Sequence, residues 1–61
     1  MGIFENVQEV LKDRNISVRT FENELGLSKG GFYRWKHYIP SVEKVRQAAD
    51  YLKVDINEIV K

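Results

Sequence analysis

The sequence predicts an all-α, compact five-helix bundle, and three observations lead there. Apolar residues recur at helical spacing, and no stretch alternates apolar and polar at period two. Ser17, Ser28, Ser41 and Asp55 each stand immediately before such a helical stretch. That is where a short oxygen-bearing side chain accepts a hydrogen bond from a free first-turn amide. Each of these four is also preceded by an apolar residue with an apolar partner five positions on: Ile16 with Phe21, Leu27 with Phe32, Pro40 with Val45, Val54 with Ile59. This is the spacing of a hydrophobic staple.

Taken in order, the first helix is expected over residues 3–14, with Phe4, Val7 and Leu11 on one stripe. The second covers 18–25 and stops at Gly26, a residue suited to the left-handed conformation after a helix. The third is expected over 29–37, capped by Ser28, with Phe32 and Trp35 three apart on its inner side. Gly30-Gly31 leave a competing reading, a loop followed by a helix that begins only at Phe32, because two glycines cost a helix about 1 kcal/mol each. The Ser28 cap and the Leu27–Phe32 staple favour the earlier start. The fourth helix covers 42–52, with Val45, Ala49 and Leu52 inward, and the fifth is short, 56–60, with Asp55 and Glu58 at capping-box spacing. The connections are short, as in a compact bundle.

The 61 residues allow one domain, 1–61, with a small core, since a chain this size buries only about 60% of its unfolded surface. The absence of cysteine excludes disulfides and thiolate-based metal sites. No apolar run approaches the roughly 20 residues of a membrane span. The opening Met1-Gly2-Ile3-Phe4-Glu5-Asn6 reads as neither a signal peptide nor a myristoylation site, so a cytoplasmic protein is expected.

The net charge of +1 hides an uneven distribution. Residues 1–24 sum to −2 and residues 43–61 to zero, whereas residues 25–42 carry Lys29, Arg34 and Lys36 without a single acid. The same stretch holds His37 and Trp35, the one His and the one Trp of the chain. A local basic patch on a near-neutral protein fits either a polyanionic partner or an ordinary solvated face.

Catalysis is poorly supplied. One His, no Cys and three serines already accounted for as caps leave no acid–base–nucleophile set. Carboxylates fall at helix-surface spacing. Residues 26–31 contain three glycines and Lys29 but not the Gly-Lys-Ser/Thr order of a phosphate loop. No enzyme, cofactor, metal or small-molecule ligand is expected.

The segment 17–37 is different: two short helices joined by a tight turn at Gly26 make a helix-turn-helix. With Phe21, Leu25, Leu27, Phe32 and Trp35 facing one core, Lys29, Gly30, Tyr33, Arg34 and His37 fall on the outer face of the second helix. An α-helix fits the DNA major groove, where Lys and Arg donate to guanine O6 and N7.

Residues 16–28, ISVRTFENELGLS, followed by Phe32-Tyr33-Arg34-Trp35-Lys36, resemble the helix-turn-helix of the Cro/CI (XRE) family of phage and bacterial transcriptional repressors. Pro40-Ser41-Val42-Glu43, Ala48 to Asp55 and Ile56-Asn57-Glu58-Ile59-Val60 are similar to that family's last two helices, so the resemblance covers nearly the whole chain. It implies a lambda-repressor-like fold with the helix-turn-helix in helices two and three. It also implies sequence-specific binding of double-stranded operator DNA as a homodimer. By the resemblance, Ser28 caps the recognition helix and touches a phosphate, while Lys29, Gly30, Tyr33 and Arg34 read base edges. His37, Lys36, Tyr38 and Arg19 become DNA-backbone candidates, His37 alternatively a plain surface residue.

Three departures stand out. Glu22 occupies a position where the family often has Ala, so it must reach solvent or find a partner such as Arg19 or Arg34. Val18 replaces a common Gln that contacts phosphate. The link from Trp35 to Pro40 is short and lacks glycine. Elsewhere Trp35 is expected in the core, Tyr33 and Tyr38 exposed, Tyr51 in packing, and Lys44, Arg46 and Lys53 solvated. Ile56, Ile59 and Val60 are expected to share closing the core with a dimer contact. The rival to a DNA-binding regulator is a protein-interaction module, antitoxin-like or anti-repressor, on the same fold.

Overall fold

The computed structural model describes residues 2–61. Five helices follow in chain order: α1 (Ile3–Asp13), α2 (Val18–Leu25), the 3-10 helix η1 (Gly31–Lys36), α3 (Val42–Leu52) and α4 (Ile56–Val60). No strand occurs among the described residues. The architecture is the expected all-α, five-helix one. α2, α3 and α4 keep their expected bounds, and α1 ends one residue early.

Local cap chemistry explains the starts that match. The Ser17 hydroxyl accepts from the Thr20 N–H at 3.1 Å, and the Ser41 hydroxyl from the Lys44 N–H at 3.2 Å. Asp55 Oδ1 accepts from the Asn57 N–H at 2.8 Å. Glu58 does not complete a box there; it pairs with Lys61 at 3.7 Å instead. Gly26 ends α2 at φ 71°, the left-handed conformation that a residue without Cβ adopts freely.

The third segment departs from expectation. It is neither α-helical nor begun at Lys29: Gly30, at φ 81°, precedes a 3-10 helix that starts at Gly31. Ser28 does not cap it with its side chain; only the Ser28 carbonyl accepts, from the Gly31 N–H at 2.8 Å. The cap comes from another helix. Glu22 of α2 accepts from the Gly30 N–H at 3.2 Å and the Phe32 N–H at 3.1 Å.

All five helices feed one core. Phe4, Val7 and Leu11 of α1 meet Phe21 and Leu25 of α2, Phe32 and Trp35 of η1, and Ile59 of α4 there. Val45, Ala48, Ala49 and Leu52 supply the face of α3. Fully buried Phe32 lies 4.7 Å from Phe4, 5.2 Å from Phe21 and 5.3 Å from Trp35, centroid to centroid. The pairs with Phe21 and Trp35 are edge-on and that with Phe4 is tilted at 31°; aromatic pairs add about 0.5–1.5 kcal/mol each beyond burial, and those to Phe4 and Phe21 join the six-residue η1 to α1 and α2. Tyr51 packs at 6.2 Å from Phe21.

Three side chains latch helix C-termini across the fold by donating to carbonyls that have no partner within their own helix. Asn6, buried, donates to the carbonyls of Ile59 (2.7 Å) and Lys61 (3.0 Å). Arg14 donates to the Leu52 carbonyl. Lys44 donates to the Leu25 carbonyl at 2.6 Å and is half-buried, which corrects its reading as a solvated lysine. No helix among the described residues is long and apolar enough to cross a membrane.

Candidate nucleic-acid interface

The basic segment owes its position to what lies behind it. Phe32 is fully buried and Trp35 only 6% exposed, so the backbone between and around them is pinned to the core. Tyr33, Arg34, Lys36 and His37 are thereby held at the surface, all four exposed. Lys29 and Ser28 are exposed in the turn before η1, Tyr38 in the loop after it, and Gly30 is half-buried. Every sequence-singled position is thus at or near the surface of one region, with Arg19 reaching it from α2.

The 3-10 geometry changes how these residues are grouped. With about three residues per turn, positions three apart eclipse one another. Phe32 and Trp35 form the buried column. Tyr33 and Lys36 form a second, and Arg34 and His37 a third. The single outer face expected for an α-helix, with Lys29 and Gly30 beside Tyr33, Arg34 and His37, is therefore not what the backbone builds. The Tyr33–Lys36 column leans toward α1. The Tyr33 ring is 6.0 Å from Phe4, and the Lys36 ammonium sits 5.2 Å from the Phe4 centroid and 5.8 Å from that of Tyr33. A cation over aromatic faces is held by their quadrupoles at about 0.5–1 kcal/mol when exposed. Lys36 is thus partly tied down, while Arg34 has no ion-pair partner within 4.0 Å among the described residues.

Arg19 is committed as well. Its guanidinium lies 3.6 Å from the Glu22 carboxylate, the pair spaced i, i+3 along α2. The Arg19 side chain is 54% exposed and that of Glu22 only 2%. Glu22 pairs with Arg19, one of the partners expected for it, and goes neither to solvent nor to Arg34. It also turns under η1 and takes two backbone amides, a role the sequence did not indicate. Its signals were an acid where the resemblance leads one to expect Ala, and a position between core residues Phe21 and Leu25.

Two further features border the region. A shallow cleft of about 250 Å³ runs between Gly2, Ile3 and Glu5 on one side and residues 35–40 on the other. Ile39, on the rim of this cleft, is 82% exposed, and Val42, at the start of α3, is 70% exposed. Val60 of α4 is 48% exposed, while Ile59 is fully buried and Ile56 half-buried. No three metal-ligating side chains come together among the described residues.

No family model, curated protein or solved structure matches the chain.

Proposed function

We propose that this chain is a sequence-specific double-stranded-DNA-binding regulator of transcription, a repressor acting in the cytoplasm by occupying operator DNA. α2, the Gly26 turn and η1 serve as its helix-turn-helix, a resemblance to the Cro/CI (XRE) pattern carried by residues 16–36. The observation that carries the reading is the pairing of two opposite sides on one short segment. Phe32 and Trp35 are sunk in the core while Tyr33, Arg34, Lys36 and His37 stand exposed with no acid between residues 25 and 42. Arg34, without an ion-pair partner among the described residues, is the residue to donate to a guanine edge; Tyr33 on the next column, and Lys29 and Gly30 in the turn before η1, are the further base-edge candidates. Ser28, Lys36, His37, Tyr38 and Arg19 serve phosphates. Exposed Val60 provides a contact for a homodimer on a palindrome with half-sites about 34 Å apart. No catalysis, cofactor or metal enters this action.

Selection of sites from random duplexes tests activity, sequence and symmetry together. Arg34→Ala should cost about 1–3 kcal/mol on the selected site and relax preference at one base pair. Lys36→Ala should weaken all duplexes alike and reduce the slope of log affinity against log salt by about 0.9. Recovery of no enriched sequence, with equal loss on every duplex for Arg34→Ala, counts against the reading.

Ile39 and Val42, exposed beside the basic segment, favour a second reading: a protein-interaction module on the same fold. A gel-shift on mixed DNA at low and moderate salt separates the two, since the module would not shift DNA at either.

A further inference from the structure

Glu22 presents a problem that the proposed function leaves open. It places a carboxylate directly beneath the segment meant to meet a polyanion. Electrostatics alone makes such a charge unfavourable for DNA, because it opposes the field that draws phosphates in. Yet it is 2% exposed and fully engaged: Oε1 accepts from the Gly30 N–H and faces Arg19, and Oε2 accepts from the Phe32 N–H. Those two amides bracket the first residue of η1. With Gly30 in the left-handed conformation and Gly31 next to it, the chain's own mark of where this helix begins is a backbone turn, the Gly31 N–H donating to the Ser28 carbonyl at 2.8 Å. The pair of carboxylate oxygens adds two bonds to that start from a different helix.

We propose that Glu22 is a specificity-determining positioning residue. By gripping the Gly30 and Phe32 amides it sets the start and rotation of η1, and so aims the Arg34–His37 and Tyr33–Lys36 columns at their targets. Arg19 offsets the carboxylate's charge toward solvent and holds Oε1 in place. The effect on base readout rests on the DNA-binding reading above; the effect on the segment does not.

The test turns on opposite signs. Glu22→Ala and Glu22→Gln both remove a negative charge, so a residue acting only through its field would bind every duplex more tightly on replacement. Positioning makes the selected duplex bind more weakly, with the mixed-sequence duplex little changed. Glu22→Ala should lose about tenfold or more of the selected-to-mixed affinity ratio, the scale set by leaving one buried and one part-buried amide donor without an acceptor. Glu22→Gln keeps one carbonyl acceptor and should lie between Glu22→Ala and the wild type. Ser41→Ala, which removes the cap of α3 and no bond of α4 or η1, is the control for destabilisation and should keep the ratio. Affinities are measured on the full chain at a temperature where circular dichroism shows every variant folded. If Glu22→Ala proves unfolded, Glu22→Gln against Ser41→Ala carries the comparison.

Free-protein amide exchange by NMR gives the second readout. The Gly30 and Phe32 amides should be protected in the wild type, and both should lose protection in Glu22→Ala. Exchange of both wild-type amides at the rate of exposed ones overturns the proposal even if DNA binding is strong. An unchanged affinity ratio in both variants overturns it too. A wild type that binds no duplex, but whose two amides are protected and released by Glu22→Ala, overturns the DNA reading and leaves the gripping of η1 standing.

Discussion

Replacing Gly30 and Gly31 by alanine, one at a time, decides the conformation of the basic segment by sign. Gly30 sits at φ 81°, and a Cβ added there meets nothing within 4 Å. The cost is therefore purely one of backbone: an L-residue in the left-handed region loses about 1–2 kcal/mol. Alanine also narrows the unfolded ensemble, which stabilises by about 0.4–1 kcal/mol. Gly30→Ala should then destabilise by about 1 kcal/mol net, which in a domain of this size lowers Tm by about 4–8 °C. Gly31 has no such φ. A Cβ there would lie 3.3 Å from Ser28 Oγ and 3.4 Å from Leu27 Cβ. Ser28 is exposed, so its hydroxyl can swing away, and the narrower unfolded ensemble offsets the tight fit. Gly31→Ala should fall within about 0.5 kcal/mol of the wild type. Thermal and urea unfolding followed by circular dichroism reads both. An α-helix begun at Lys29 predicts the reverse, because alanine in a helix interior is better than glycine by about 1 kcal/mol at either site. Stabilisation by Gly30→Ala would refute the left-handed turn and restore the single outer face.

Asn6→Ala removes both bonds to the end of α4 and leaves the Ile59 carbonyl short of a donor; about 2 kcal/mol of stability should go, read as a lower urea midpoint. Asn6→Asp should be worse than Asn6→Ala, since it sets acceptor against acceptor, and equal stability of the two would refute the latch. Lys53→Gly relieves a left-handed φ of 56° after α3; against the entropy of glycine the net gain should be about 0.5–1 kcal/mol, seen as a higher midpoint. Lys44→Met keeps the apolar stem and deletes the donor to the Leu25 carbonyl, so about 1 kcal/mol should be lost; an unchanged Tm would show that water replaces the ammonium there.

What could be read from the sequence follows from how far apart the interacting groups are. Ser17, Ser41 and Asp55 each bond an amide two or three residues away, so the starts of α2, α3 and α4 are legible in a few consecutive letters. Gly26 is equally local. Phe4, Val7, Leu11, Val45, Ala49 and Leu52 declare the inner faces by period. The latches were not legible because their partners are remote: Asn6 lies 53 residues from Ile59, Arg14 38 from Leu52, Lys44 19 from Leu25. A polar side chain with a distant carbonyl looks like any surface residue in one dimension. The candidate interface divides along the same line. Its membership came from composition, an acid-free basic run over two buried aromatics. Its grouping into columns did not, because that depends on Glu22 from another helix.

Why the local signals lost at Ser28 can be worked from Glu22. Its neighbour Phe21 is fully buried, and Leu25, one turn on, is buried as well. Glu22, about 100° round the helix from Phe21, stands at the edge of that buried face, and η1 folds over it to leave it 2% exposed. A carboxylate kept there without donors would be an unpaired buried charge, which costs several kcal/mol. An α-helix begun at Lys29 would gain the Ser28 cap, about 1 kcal/mol, and lose about 2 kcal/mol to its two glycines. The left-handed turn at Gly30 brings two amides to the carboxylate instead, and hydrogen bonds to a charged group contribute about 1.5–3 kcal/mol each. The turn is open to glycine at little cost, whereas nearly any other residue at position 30 would resist it. The two glycines and the buried acid are thus one solution: the pair frees the backbone to bend, and the acid gives it a reason to bend there. A Glu22→Ala chain loses that reason while keeping the freedom, so its segment should sample several starts, and the Tyr33–Lys36 and Arg34–His37 columns would no longer each hold one direction.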